Sequence, residues 1–132
     1  MFIGLLQFEL RIADARSLKD KRRVVRSLKD RLHRSHQVSV AEVGLHETAE
    51  RALLGVALAA PSAPRAAAVL DTIIIKLHAL TDAELLGLHR EVVRFDALLD
   101  IARDGDTAPV FDAAERAAAE ALLTPDSAES LP

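Results

Sequence analysis

Apolar and polar residues alternate from Phe2 to Ile12 and then, after Ser17, apolar residues recur every three or four positions. That change of period constrains the chain more than any other feature. A two-residue repeat suits one face of a strand, whereas a 3.6-residue repeat suits one stripe of a helix. Phe2, Leu6, Phe8, Leu10 and Ile12 fall on one face, with Gln7, Glu9 and Arg11 on the other, which predicts a half-covered strand. Ser17 is placed as a helix N-cap, with Asp20 in the first turn. Leu18, Val24, Val25, Leu28 and Leu32 then carry an amphipathic helix to about Arg34.

The same two periods return further along. Gln37–Leu45 is short and β-branched and predicts a second strand. Arg51–Ala60, with Leu54, Val56 and Leu58 on one face, predicts a third. Pro61-Ser62-Ala63-Pro64 marks the start of a second helix with Ser62 as its cap. Ile73-Ile74-Ile75 has strand-like composition but belongs to the longer series Val69, Leu70, Ile73, Ile74, Leu77 and Leu80, which decides for helix. Glu84–Phe95 predicts a fourth strand. The order β-α-β-β-α-β is the split βαβ of α+β ferredoxin-like folds, and right-handed crossovers place both helices on one face of an antiparallel sheet in order 4-1-3-2. The expected core gathers Leu6, Phe8, Leu10, Val25, Leu28, Leu54, Val56, Leu70, Ile73 and Leu77.

This domain takes residues 1–96. Residues 97–132 read as an acidic, Ala-rich helical extension: a short turn over 97–102, a break at Asp104-Gly105-Asp106, and a helix from Asp112-x-x-Glu115 to about Leu123. The last residues, 124–132, are expected to fray.

Composition removes several function classes. The 132 residues contain no Cys, Trp or Tyr, and Phe is the sole aromatic type, with four copies. Disulfides, thiol catalysis, zinc ribbons and Cys-pair metal chaperones are thereby excluded, and a reducing, cytoplasmic setting is expected. RNA-recognition modules of this architecture stack bases on aromatics of the central strands, but the third strand reads Leu53-Leu54-Gly55-Val56-Ala57-Leu58-Ala59. Ile12-Ala13-Asp14-Ala15 lacks the Gly, Arg and Asn of an acyl-phosphate-binding loop. No apolar run is long enough for a membrane span, so no membrane partner is expected.

Charge speaks through its position. The net charge is −3, yet Arg16 to Arg34 holds nine basic and two acidic residues, a local +7, while Phe95 to Pro132 carries −7. On a helical projection Lys19, Arg22, Arg23, Arg26, Lys29 and Arg34 share one broad stripe opposite the Leu/Val stripe. Such a stripe suits phosphate contacts, which position a nucleic acid without reading its bases. Lys19, Lys21, Arg22, Arg23, Arg26 and Lys29 are the candidate nucleic-acid-binding residues. Lys21 stands apart because it falls among the apolar positions, where it either extends past the helix end or serves something at the sheet edge.

Other constellations are weaker. His33 and His36 stand at i, i+3 but lack a carboxylate at a matching offset, and His46-Glu47 with His89 is looser still. Gly44 and Gly105 are single turn glycines and not a phosphate cradle. No nucleophile, base and orienting partner can be assembled, so no catalytic residue, metal ligand or cofactor is assigned.

Three stretches together are more specific: Ala15-Arg16-Ser17-Leu18-Lys19-Asp20-Lys21-Arg22-Arg23-Val24-Val25, Val38-Ser39-Val40-Ala41-Glu42-Val43, and Arg51-Ala52 with Leu54-Gly55-Val56-Ala57. They resemble the YlxP-like family of bacterial proteins, number 503 among the domains of unknown function, over about residues 1–96. The resemblance implies a ferredoxin-like fold and a gene neighbourhood shared with transcription-elongation and translation-initiation factors, hence a link to RNA or the ribosome. It implies no activity. The connection Gly44-Leu45-His46-Glu47-Thr48-Ala49 departs from the polar-aromatic one of typical members, and Ala49 stands where they carry an aromatic, which speaks against stacking by this loop.

The expectation is therefore a non-enzymatic RNA- or ribosome-associated protein that meets phosphates with its basic helix. The alternative is a homo-oligomeric interaction or ligand-binding module. The helix-free side of the sheet offers Ile3, Leu5, Gly55, Ala57 and Ala59, an apolar patch that residues 97–123 are expected to cover, folded back within the chain or across a homodimer. A rival role for the acidic tail is to shield the basic helix.

Overall fold

A computed structural model describes residues 1–96 and, beyond them, Leu98, Ala117, Ala118 and Ala121. Six elements follow in order: β1 (Phe2–Ile12), α1 (Leu18–His36), β2 (Ser39–Gly44), β3 (Arg51–Ala60), α2 (Ala63–His78) and β4 (Ala83–Arg94). The sheet runs β2-β3-β1-β4 with every neighbouring pair antiparallel, which is the expected order read from the opposite edge. This is an α+β ferredoxin-like arrangement.

The alternation in β1 sorts its side chains as expected: Leu6, Phe8, Leu10 and Ile12 are buried, while Leu5, Gln7 and Arg11 are exposed. Ser17 Oγ accepts the Asp20 N–H at 3.2 Å, and the Asp20 carboxylate accepts the Arg16 N–H at 3.2 Å, so both sides of the α1 start are satisfied. The helix closes at Gln37, whose φ of 54° lets its N–H donate to the His33 carbonyl. Ser62 caps α2 by accepting from the Arg65 N–H. The Ile-rich run is helical: Ile73 is fully buried and Ile75 is 69% exposed, whereas a strand would turn both to one face.

The second strand is shorter than its composition suggests. Gln37 is used by the left-handed end of α1, and Leu45, with a φ of 58°, turns the chain out of the sheet. The fourth strand begins and ends one residue earlier than expected. Its pairing with β1 slips between Glu9 and Leu10, which keeps Leu85 opposite Leu10 and Leu88 opposite Phe8.

All ten expected core residues are buried in one cluster, joined by Ile12, Leu32, Val38, Ala52 and Ala83. Because that cluster draws on α1, α2 and one face of the sheet, both helices cover the same side. Helix α1 packs on β2 and β3, and α2 chiefly on β4 and β1. The opposite side of the sheet carries no helix of this unit, which ends at Phe95. The expected turn and Ala-rich helix, and the covering role of residues 97–123, fall almost wholly outside the described residues.

Candidate nucleic-acid interface

Burying Val25, Leu28 and Leu32 against the sheet turns the opposite side of α1 outward. Lys19, Arg22, Arg23, Arg26 and Arg34 are exposed there, and Lys29 is half-buried. Lys19, Arg22, Arg23, Arg26 and Arg34 line one shallow depression of about 620 Å³ together with Ser27 and Asp30. Every one of these residues belongs to α1, so no second element faces the depression.

Few of these cations are committed elsewhere. Arg23 stands 3.8 Å from the Asp20 carboxylate, and the Arg34 Nε–H donates to the Asp30 carbonyl at 3.4 Å. Among the described residues Lys19, Arg22 and Arg26 form no ion pair. Asp30 interrupts the stripe towards its C-terminal half, so the positive charge is densest over the first two turns.

Lys21 does not join this surface. The residue is 1% exposed, its Nζ lies 2.7 Å from the Glu42 carboxylate, and it donates to the carbonyls of Leu45 at 2.5 Å and Thr48 at 2.8 Å. With its ammonium buried among two accepting carbonyls and the Glu42 carboxylate, Lys21 does not face a phosphate ligand and leaves the candidate set. Its place on the apolar stripe was the available signal, and it serves the edge strand β2 and the turn behind it. Glu42 escaped sequence reasoning. The signal for it was parity: Val40 and Glu42 share the helix-facing side of β2, so the acid had to find a buried cation there.

The histidines do not converge. The His33 Nδ1–H donates to the Val38 carbonyl at 2.9 Å, just beyond the helix end. The Lys76 ammonium donates to His36 Nε2 at 2.9 Å; burial, then the charge of Lys76, holds the His36 pKa below its ordinary value. His46 reaches the Glu42 carbonyl, and His89 lies 3.4 Å from the Glu91 carboxylate on the open side of the sheet. Among the described residues no group of three or more His, Asp or Glu is gathered for a metal ion. No helix among them is long and apolar enough to cross a membrane.

The open sheet face has a different character. A depression of about 430 Å³ there is floored by Leu5, Ala41, Val43, Gly55 and Ala57 and edged by Gln7, His89 and Glu91. Val43 leans across Gly55, where a Cβ would stand 3.2 Å from its Cγ1. Towards the other end of the face charges neutralise one another across strands, in the pairs Arg51–Glu9 and Arg11–Glu84.

A family model described as "Protein of unknown function (DUF503)" matches residues 3–90, which takes in both helices, β2, β3 and most of β1 and β4. The chain belongs to this family. The "Uncharacterized protein YlxP" of Bacillus subtilis (strain 168) is 37% identical over 60 residues, 46% of this chain and 65% of that protein. The aligned part is thus just under two thirds of the relative's length. The DUF503 match includes the basic side of α1 and the Lys21–Glu42 pair, and it stops before residues 91–132.

Proposed function

We propose that this DUF503 protein is an RNA-associated factor, acting on free RNA or on ribosomal particles, that meets phosphates with the exposed side of α1. One observation carries the reading: Lys19, Arg22, Arg23, Arg26 and Arg34 share a single solvent-facing surface, and three of them are free of ion pairs among the described residues. Arg guanidinium forks match phosphate oxygens, and an unpaired surface cation needs no competing contact broken before it binds one. Binding of this kind releases counterions, so affinity falls as a power of salt concentration.

The test is binding of the full chain to RNA, and its co-sedimentation with ribosomal particles, across a salt series. With about five phosphates neutralised, the logarithmic slope against salt for a single strand is about −3.5. The triple substitution Arg22→Glu, Arg23→Glu, Arg26→Glu should lower affinity at least a hundredfold. All three side chains are exposed, so the thermal midpoint should stay within a few degrees. A triple variant that binds RNA as tightly as the parent defeats the reading.

A second reading rests on the apolar depression of the open sheet face: a homo-oligomeric interaction module, with a second copy of the chain as the occupant. Leu5 and Val43 are exposed there beside small residues that admit a close backbone.

A further inference from the structure

Proteins of this fold that bind single strands do so on rings, and single-stranded nucleic acid is held elsewhere by a walled groove lined with aromatics. Among the described residues both devices are missing at the basic side of α1 and at the open sheet face. Of the described aromatics, Phe8 is buried in the core, and Phe2 is half-buried with the Arg94 guanidinium 5.9 Å over its ring. Phe95 follows β4, at the sheet edge opposite the β2–β3 side on which α1 packs. The open face is floored by Leu5, Gly55 and Ala57, which offer a base no π-surface. The basic surface is built wholly from α1, a shallow depression between side chains of one helix with no wall from a second element.

A row of guanidinium and ammonium groups along one rigid helix suits a ligand whose phosphates are already held in a fixed array. A duplex provides that array with its bases stacked inside, so the absence of rings costs it nothing. A flexible strand must be ordered on binding, and here no stacking offsets that entropy.

Building on the phosphate-binding reading, we propose that the α1 surface takes the phosphate backbone of a nucleic-acid duplex in preference to a single strand. Recognition runs through backbone shape and charge, with Arg22 and Arg26 central and Lys19, Arg23 and Arg34 flanking. On an RNA duplex it is insensitive to base sequence, because the deep, narrow major groove of an A-form helix keeps base edges out of reach of the Arg and Lys side chains.

The measurement is fluorescence anisotropy of the full chain with three probes: a 20-base-pair RNA duplex of mixed sequence, the DNA duplex of the same sequence, and a 20-nucleotide oligouridine. The RNA duplex should bind at least tenfold more tightly than oligouridine, with a salt slope of about −4.5. Arg22→Gln and Arg26→Gln should each make that slope shallower by about 0.9 without moving the melt. Permuting the duplex sequence should change affinity less than threefold. Oligouridine binding as tightly as either duplex overturns the duplex preference and leaves the phosphate reading standing. Binding of the DNA duplex but not the RNA duplex keeps the preference and overturns RNA as the ligand. No salt-dependent binding to any probe overturns both.

Discussion

Lys21 shows how one residue can be legible as an anomaly before its role is visible. A buried ammonium is costly unless acceptors meet it, and here the Glu42 carboxylate and the carbonyls of Leu45 and Thr48 do so. The contacts tie the first turn of α1 to β2 and to the turn behind it, where Leu45 adopts a left-handed conformation. Removing one member strands the other, so Lys21→Met should destabilise the protein by about 3–5 kcal/mol. Replacing both, Lys21→Met with Glu42→Leu, should cost clearly less than the sum of the single changes, since no carboxylate is left without a cation. Denaturant unfolding of the four proteins in that cycle measures the coupling. Additive costs, or a single Lys21→Met cost below about 1 kcal/mol, would show that the pair is incidental.

At the scale of elements, stability lies in the stripe of each helix that meets the sheet. Leu28 on α1 and Val56 on β3 are both almost wholly buried in one cluster. Leu28→Ala should cost about 2–5 kcal/mol, and Val56→Ala somewhat less because fewer atoms are lost. For a domain of this size each kilocalorie lowers the midpoint by about 4–8 °C. Ile75, in the β-branched run of α2 but 69% exposed, is the control, and Ile75→Ala should shift the melt by no more than a few degrees. A large loss at Ile75 beside none at Leu28 would contradict the helical phase assigned to both elements. These elements were legible because period and caps agreed: Ser17 and Ser62 sit where the helices begin, and the β1 alternation sorts core from solvent. Boundaries were less so. Nothing local marks Gln37 as a left-handed helix end, and the slip opposite Glu9 exists only once β4 has paired. The Lys21–Glu42 contact is likewise a product of tertiary placement, since the two residues lie on different elements.

At the scale of the molecule, the described residues put the basic stripe of α1 and the apolar depression of the open face on opposite sides of the sheet. The basic stripe was readable because a helix repeats locally, whereas the open sheet face becomes a surface only after β2 and β4 have flanked β3 and β1. The charges on that face are largely neutralised within it, in the Arg51–Glu9 and Arg11–Glu84 pairs, so it offers a polyanion no field. An apolar partner is the better match, and a second copy presents the same uncharged centre. With strands about 4.8 Å apart and a rise of about 3.4 Å per residue, the face has a plan area of roughly 550 Å². Two such faces together bury about 1,100 Å², just above the roughly 1,000 Å² that separates specific interfaces from incidental ones. An interface of this size is expected to be weak, so the full chain should shift from monomer towards dimer between about 1 and 100 µM in sedimentation velocity. Self-association through apolar surface should persist, or strengthen, as salt is raised, the reverse of what is expected of the proposed phosphate contacts on α1. Ala57→Glu places a charge at the centre of the depression on a side chain that points away from the core. It should hold the chain monomeric at 100 µM with its melt little changed. A chain that is monomeric throughout that range, or a variant that dimerises like the parent, removes the open face as a site of self-association.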